Sequence, residues 1–270
     1  MKNALMSVLC FGLLAAAGIA KAEKPANVTL YLQENCVMVD HEDGYGSGAV
    51  IVREVEGRKV AFVLTAYHVI AGVNPDEIRV IQPADKERIL SELVMKCSVF
   101  ATSPSEDIAV LRLNLVDFFH KGVDFSLDDV SVGTELYLCS SPLGKHMINS
   151  VTQGIVASIN RVLHDNDFYQ TTCATLPGSS GGAAVRASDG LYVGMLTTGF
   201  NGTESFNLIV PAKRIAAWAD KNKLRFLVDR KVPVPKESEL EKLKVNEPPS
   251  VLVNPAERDP AADDQIFLIP

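Results

Sequence analysis

A chain of 270 residues with 47% hydrophobic content can bury a large core, in one large domain or two small ones, and is not a disordered protein. Its 26 basic and 33 acidic residues leave a formal charge of −7. With no basic cluster along the chain, that balance argues against a nucleic-acid role.

Residues 1–22 read as a secretory signal: Lys2 is the charged start, Ala4 to Ile19 is apolar, and Ala20-Lys21-Ala22 closes the segment in A-x-A form. The run is short for a bilayer span and carries Gly12 and Gly18. A lipoprotein anchor at Cys10 is weaker still, since Ser7-Val8-Leu9 leave little apolar stretch before it. The expectation is a periplasmic or secreted protein without a membrane anchor once the signal is removed. Cleavage after Ala22 would leave Cys36, Cys97, Cys139 and Cys173. In an oxidising compartment one or two disulfide bonds are expected, with the pairing open; the alternative is that some are small buried hydrophobes. Without C-x-x-C spacing, a zinc site is not expected.

From about Val28 to Phe226, short apolar runs alternate with Gly, Asn, Asp and Pro, the pattern of an all-β sandwich or barrel. Strands are expected at Cys36–Val39, Gly48–Arg53, Lys59–Leu64, Glu77–Ile81, Leu93–Phe100, Ile108–Leu113, Glu135–Cys139, Ser150–Ile159, Ala183–Arg186, Leu191–Thr197 and Leu208–Val210. Pro211 to Lys223 reads as a helix, with Ile215, Trp218 and Ala219 on one face. These assignments put a globular domain at 23–229. Residues 230–270 read as a Pro-rich, disordered tail, since 7 of the 14 prolines fall in 231–270. Its end, Ile266-Phe267-Leu268-Ile269-Pro270, could dock on a partner or an open sheet edge, or stay free.

The chemistry centres on Leu176-Pro177-Gly178-Ser179-Ser180-Gly181-Gly182. Composition alone would allow a Gly/Ser linker. Set between apolar stretches, the same residues can form a tight turn that exposes a serine hydroxyl, with the amides of Gly178 and Ser180 directed at one point. Such a serine needs a base and an orienting carboxylate. Of five histidines, His41, His120, His146 and His164 sit in polar or loop contexts and read as solvated. His68 follows the apolar run Val60–Leu64 and Thr65-Ala66-Tyr67, which places it at the end of a core strand. Asp107 leads into Ile108-Ala109-Val110-Leu111, whereas Asp76, Asp85, Asp117 and Asp124 lie in loops. Glu106 competes with Asp107, but strand alternation would send it to the opposite face.

Taken in order, Thr65-Ala-Tyr-His68, Asp107-Ile-Ala-Val-Leu and Gly178-Ser-Ser180-Gly-Gly resemble the chymotrypsin-like serine peptidases. Gly46-Ser-Gly-Ala-Val-Ile, Ser150-Val-Thr-Gln-Gly-Ile-Val-Ala-Ser and Gln170-Thr-Thr-Cys-Ala-Thr-Leu-Pro-Gly make the resemblance closer to the HtrA/Deg branch, over about residues 30–222. The resemblance implies two antiparallel β-barrels with a cleft between them and a short C-terminal helix. It also implies His68 as general base and acid, Asp107 as its orienter, Ser180 as nucleophile, and the Gly178 and Ser180 amides as the oxyanion hole.

Two departures stand out. Position 179 is Ser where trypsin relatives carry Asp and many HtrA relatives Asn, and no Ile-Val-Gly-Gly-like start is present, so activation by N-terminal insertion is not expected. The residues after 229 are also too few for the PDZ domain that often follows the peptidase in the HtrA family. By analogy with trypsin relatives, Ala174 would lie at the base of the specificity pocket, with Met195, Leu196 and Thr197 as its wall, favouring a small or medium apolar residue before the cleaved bond. The function so implied is an exported endopeptidase acting on unfolded or exposed polypeptide, with no cofactor or metal and with oligomeric state open. The alternatives are a catalytically silent binding or scaffold protein, and a glutamyl-specific peptidase with a polar pocket around Thr197 and Thr198.

Overall fold

The computed structural model describes residues 24–83, 92–114, 119, 121–163, 165–200, 206–243, 245–246 and 266–268. The expected signal segment, His120, His164, Asp85 and Asp117 lie outside them. A short helix α1 (Val28–Glu34) opens the described chain, capped by Asn27, whose side chain accepts hydrogen bonds from the Thr29 and Leu30 amides. Six strands follow: β1 (Cys36–His41), β2 (Gly44–Val55), β3 (Arg58–Thr65), β4 (Arg79–Pro83), β5 (Glu92–Ser103) and β6 (Ile108–Leu113), with a one-turn helix α2 (Tyr67–Ile70) after β3. They pair in the order β5-β4-β1-β2-β3-β6, and β6 returns to β5. The sheet is thereby closed.

The second half repeats the plan with β7 (Glu135–Ser140), β8 (Ser150–Leu163), β9 (Asn166–Thr171), β10 (Ala183–Arg186), β11 (Tyr192–Phe200) and β12 (Asn207–Pro211). Their order is β10-β7-β8-β9-β12-β11, closed by β10–β11 pairing. The fold is therefore two six-stranded antiparallel barrels, as the sequence implied. Closure removes most of the exposed sheet edge that an open antiparallel sheet would carry.

Core composition explains how the barrels meet. In β3, Val60 to Leu64 are all buried, so the strand has no solvent face. One large core cluster contains Phe62, Val63 and Leu64 together with Cys139, Val185, Tyr192 and Met195 of the second barrel, while Leu136, Leu138, Val156 and Leu196 belong to a separate cluster inside that barrel. The first barrel's core thus continues into the contact between the two. Helix α3 (Ala212–Lys221) packs on β11 and β12 and buries Ile215, Trp218 and Ala219, as its three-four spacing predicted, with Ala216 beside them in the same cluster.

Three features differ from the sequence expectations. Strand β9 was not anticipated, because Asn166 and Asp167 begin a segment whose apolar alternation is short. The four cysteines among the described residues are free thiols: Cys36, Cys139 and Cys173 are buried as small hydrophobes, and the Cys36 thiol donates to the Cys139 carbonyl at 3.6 Å. Burial, with Cys36 alongside, pushes the Cys139 thiol well above its ordinary pKa. Finally, the segment read as disordered from 230 begins with ordered structure. Helix α4 (Glu237–Leu240) buries Leu240 fully, Glu237 and Glu241 bond Arg112 at 2.5 and 3.2 Å, and β13 (Val245–Asn246) pairs in parallel with Ala101 and Thr102 of β5. A few apolar residues spaced among prolines suffice to fasten the strap, which composition averaged over the segment conceals. Leu240→Ala should lower unfolding free energy by about 2–5 kcal/mol, read as a lower urea midpoint with the barrels' β-type circular dichroism retained.

Candidate active site

The pairing of β3 with β6 builds the first half of the site. Thr65 lies opposite Ala109, so the residues just past the end of β3 and just before the start of β6 are neighbours. His68 sits one residue inside α2, and Asp107 is the last residue of the turn before β6, with φ +53°. The Tyr67 amide donates to the Asp107 carbonyl at 3.2 Å and the His68 amide to Asp107 Oδ1 at 3.0 Å. These two backbone bonds fix the carboxylate against the ring, whose Nδ1 lies 3.0 and 2.9 Å from Oδ1 and Oδ2. With the Nδ1 proton facing a carboxylate, Nε2 is left as the basic nitrogen. It is buried and makes no hydrogen bond among the described residues.

Burial alone would raise the Asp107 carboxyl, but the charge of His68 and hydrogen bonds from the His68 ring, the Thr197 hydroxyl and the His68 amide outweigh it and hold the group below its ordinary value. Glu106 is excluded from this role for a reason other than strand alternation. Both acids precede β6, and Glu106 is turned outward to an ion pair with Arg214 at 2.6 Å.

The second barrel supplies the serine loop. Gly178 and Gly181 have φ of +92° and +84°, a region that side chains with Cβ rarely adopt. Space forbids a Cβ as well: at Gly178 it would meet Ser141 O at 2.7 Å, and at Gly181 it would collide with the Ser47 carbonyl and meet Thr65 Oγ1 at 2.5 Å. The loop is a tight turn, and the linker alternative fails. Ser47 of β2, which sequence reasoning did not single out, clamps it. Its amide donates to Ser180 O at 2.7 Å and its hydroxyl to Gly178 O at 2.8 Å, while the Ser141 amide donates to the Ser47 hydroxyl at 2.8 Å. A serine set between Gly46 and Gly48 at the head of the apolar run Ala49–Val52 was the available signal. Ser179 is fully buried, accepting from the Ser140 hydroxyl at 3.1 Å, so no charge stands at this departure from the trypsin pattern.

Thr197 joins the halves. Its hydroxyl donates to Asp107 Oδ2, and its carbonyl accepts the Ser180 hydroxyl at 3.1 Å. Asp107 and Ser180 both bond Thr197 and His68 bonds Asp107, with Ser180 fully buried and its hydroxyl on Thr197 rather than on His68 Nε2. Of the other expected site residues, Ala174 is exposed. Met195 and Leu196 correct the pocket expectation, since both side chains are fully buried, one in each core cluster. Strand β11 is covered on both faces here, so alternation sends neither side chain to the surface. The Leu196 backbone instead supports the loop, accepting from the Gly181 amide at 2.8 Å and donating to Gly182 O at 2.9 Å. Of the histidines read as solvated, His146 is exposed, but His41 is part-buried with Nε2 2.8 Å from the Val69 carbonyl. Asp124, read as a solvated loop acid, pairs with Arg230. Among the described residues no cluster could hold a metal ion, and no helix is long and apolar enough to cross a membrane.

Two closed six-stranded antiparallel barrels, with a histidine and an aspartate on one and a glycine-framed serine on the other, define the chymotrypsin-like class. Residues 46–195 match the trypsin-like peptidase domain family, and the chain belongs to that family. The chain is 28% identical over 191 residues to the serine protease Do-like HtrA of Bacillus subtilis, covering 67% of this chain and 39% of that protein. It is 32% identical over 140 residues to a probable periplasmic serine endoprotease DegP-like of Pseudomonas fluorescens, covering 51% and 26%. The chain therefore spans less than half the length of these curated relatives. Among solved structures, the HtrA-type protease AlgW with tripeptide superposes with a TM-score of 0.59 at 24% identity, covering 74% of this chain and 64% of that one. The serine endoprotease from Yersinia pestis gives 0.57 at 21%, covering 75% and 68%. These structural likenesses bear on the fold.

Two outcomes test the site's construction. Gly181→Ala should destabilise the loop and abolish labelling of Ser180 by a fluorophosphonate, while Gly133→Ala, at a glycine of φ +87° with nothing within 4 Å of a Cβ, should leave labelling intact. Because the Asp107 carboxyl is held below 3.8, its contribution to folding is complete above that value and disappears as pH falls through the lower folded value. Urea midpoints followed from neutral pH into the acid range should therefore drop less steeply for Asp107→Asn than for the wild type.

Proposed function

We propose that this chain is an exported serine endopeptidase acting on unfolded or exposed polypeptide, with its peptidase domain at 23–229. The observation that carries the reading is Thr197, which touches both Asp107 and Ser180 while Asp107 holds His68 Nδ1 at 2.9 Å. Family membership and the HtrA and DegP-like relatives support the same class.

Catalysis begins when the Ser180 hydroxyl rotates from the Thr197 carbonyl toward His68 Nε2. Nε2 takes the proton as Oγ attacks the scissile carbonyl, and Asp107 stabilises the imidazolium and keeps its tautomer. The amides of Gly178 and Ser180 receive the developing oxyanion, a contribution of about 10²- to 10³-fold per donor. His68 then hands its proton to the leaving amine, an acyl-enzyme remains on Ser180, and water activated by His68 releases it. The reaction draws on no cofactor. A polar, glutamyl-selecting pocket loses support because the Thr197 hydroxyl is committed to Asp107 and Thr198 is buried with its hydroxyl 3.4 Å from Gly199 O. Ala174, which is exposed, is assigned as the small uncharged pocket residue by its place six residues before Ser180. Export rests on the Lys2, apolar and Ala20-Lys21-Ala22 pattern and on the periplasmic DegP-like relatives.

Fluorophosphonate labelling and digestion of an unfolded protein should both be lost in Ser180→Ala, and Asp107→Asn should reduce turnover by about 10⁴-fold. Absence of labelling and turnover in the wild-type chain would instead favour a silent binding protein, for which the buried Ser180 hydroxyl on Thr197 is the supporting observation.

A further inference from the structure

Both barrels close, yet each leaves a short stretch of backbone edge. In β5, β4 covers residues 92–96 and β6 covers the other edge, so β13 occupies the gap at Ala101 and Thr102. The gap in the second barrel lies at the site itself. Strand β12 lines one edge of β11 as far as Gly199, while β10 lines the other only from Tyr192 to Met195. Beyond Met195 that second edge meets the serine loop: Leu196 O accepts the Gly181 amide and Thr197 O accepts the Ser180 hydroxyl. The next three residues, Thr198, Gly199 and Phe200, are paired with β14 (Ile266–Leu268), antiparallel, in the register Thr198 with Leu268, Gly199 with Phe267 and Phe200 with Ile266.

Direction makes this pairing consequential. An antiparallel strand that starts opposite Phe200 and reaches Thr198 runs toward Thr197, so any extended peptide in this register has its next residue level with the carbonyl that holds Ser180. A polypeptide presented to Ser180 along β11 must use the same edge, by the strand addition common in peptide recognition. We infer that residues 266–268 are an internal occupant of the edge that receives the substrate strand, and that the chain thereby inhibits itself in competition with polypeptide. The inference rests on the peptidase reading for its functional half alone; the pairing is independent of it. Three residues in backbone pairing make a weak ligand when free, but attachment to the same chain raises their effective concentration to the order of mM. Backbone pairing also allows displacement by any extended sequence, which suits an enzyme of unfolded chains.

The test has two arms. Hydrogen exchange at Thr198, Gly199 and Phe200 is followed in Ser180→Ala protein, in the full chain, in a form ending at Ala262, and in Phe267→Pro, which removes one amide from the added strand. Exchange should be slow in the full chain and at least about tenfold faster in the other two at the amides that face β14, which alternate along β11 with those facing β12. Digestion of an unfolded protein is then measured with Ser180 intact. An edge free for about a tenth of the time raises apparent KM about tenfold, so both altered forms should show KM lower by about that factor with kcat unchanged. Equal exchange in all three forms overturns the pairing, and unchanged KM overturns the inhibition. If exchange responds while no form turns over or reacts with fluorophosphonate, the peptidase reading fails and the strand occupancy stands.

Discussion

The contact between Ser47 and the serine loop is the constraint on which the site depends. His68 and Asp107 belong to one closed sheet and Ser180 to another, so nothing within either barrel sets the distance between His68 and Ser180. Ser47 bonds the backbone on both sides of Ser179, at Ser180 O and Gly178 O, from a strand paired directly with the one that leads to His68. It also accepts from the Ser141 amide of the second barrel, which leaves its hydroxyl satisfied as donor and acceptor in a place where an unpaired polar group would be costly. The first barrel reaches across and grips the loop of the second, and the continuous apolar core beneath, from Phe62 through Cys139 to Met195, keeps the grip in register.

Much of this was legible in the sequence because the signals were local. Val60 to Leu64 is apolar at every position, and β3 is buried on both faces; Ile108–Leu113 and Ala183–Arg186 match their expected limits. His68 and Asp107 were found from their place at the ends of such strands. The structure adds that the strands are neighbours, which no spacing along the chain encodes. What escaped was set by partners distant in sequence. Met195 and Leu196 had the apolar character of a pocket wall, but the same character serves two cores, and only the stacking of the barrels decides which. His41 and Asp124 read as solvated because their partners come from other elements, and Ser47 carried only a motif resemblance because its partners lie in the second barrel. The segment after 230 was misjudged in its first part because average composition hides single anchors such as Leu240.

Thr197 connects the resting arrangement to the chemistry. Its hydroxyl and its carbonyl serve different partners, Asp107 and Ser180, from one residue at a register shift in β11, where Leu196 and Thr198 but not Thr197 have partners on β12. The irregularity turns the Thr197 carbonyl out of the ladder, and the Ser180 hydroxyl takes the place of a strand amide. The same step in β11 ends the cover that β10 provides and begins the edge held by β14. One local departure from regular pairing therefore sets the direction of the Ser180 hydroxyl, a hydrogen bond to the Asp107 carboxylate and the start of the edge held by β14. The strand held on that edge lies against backbone continuous with Thr197. In this geometry the Ser180 hydroxyl and the strand added at Thr198 are separated by a single peptide unit of β11.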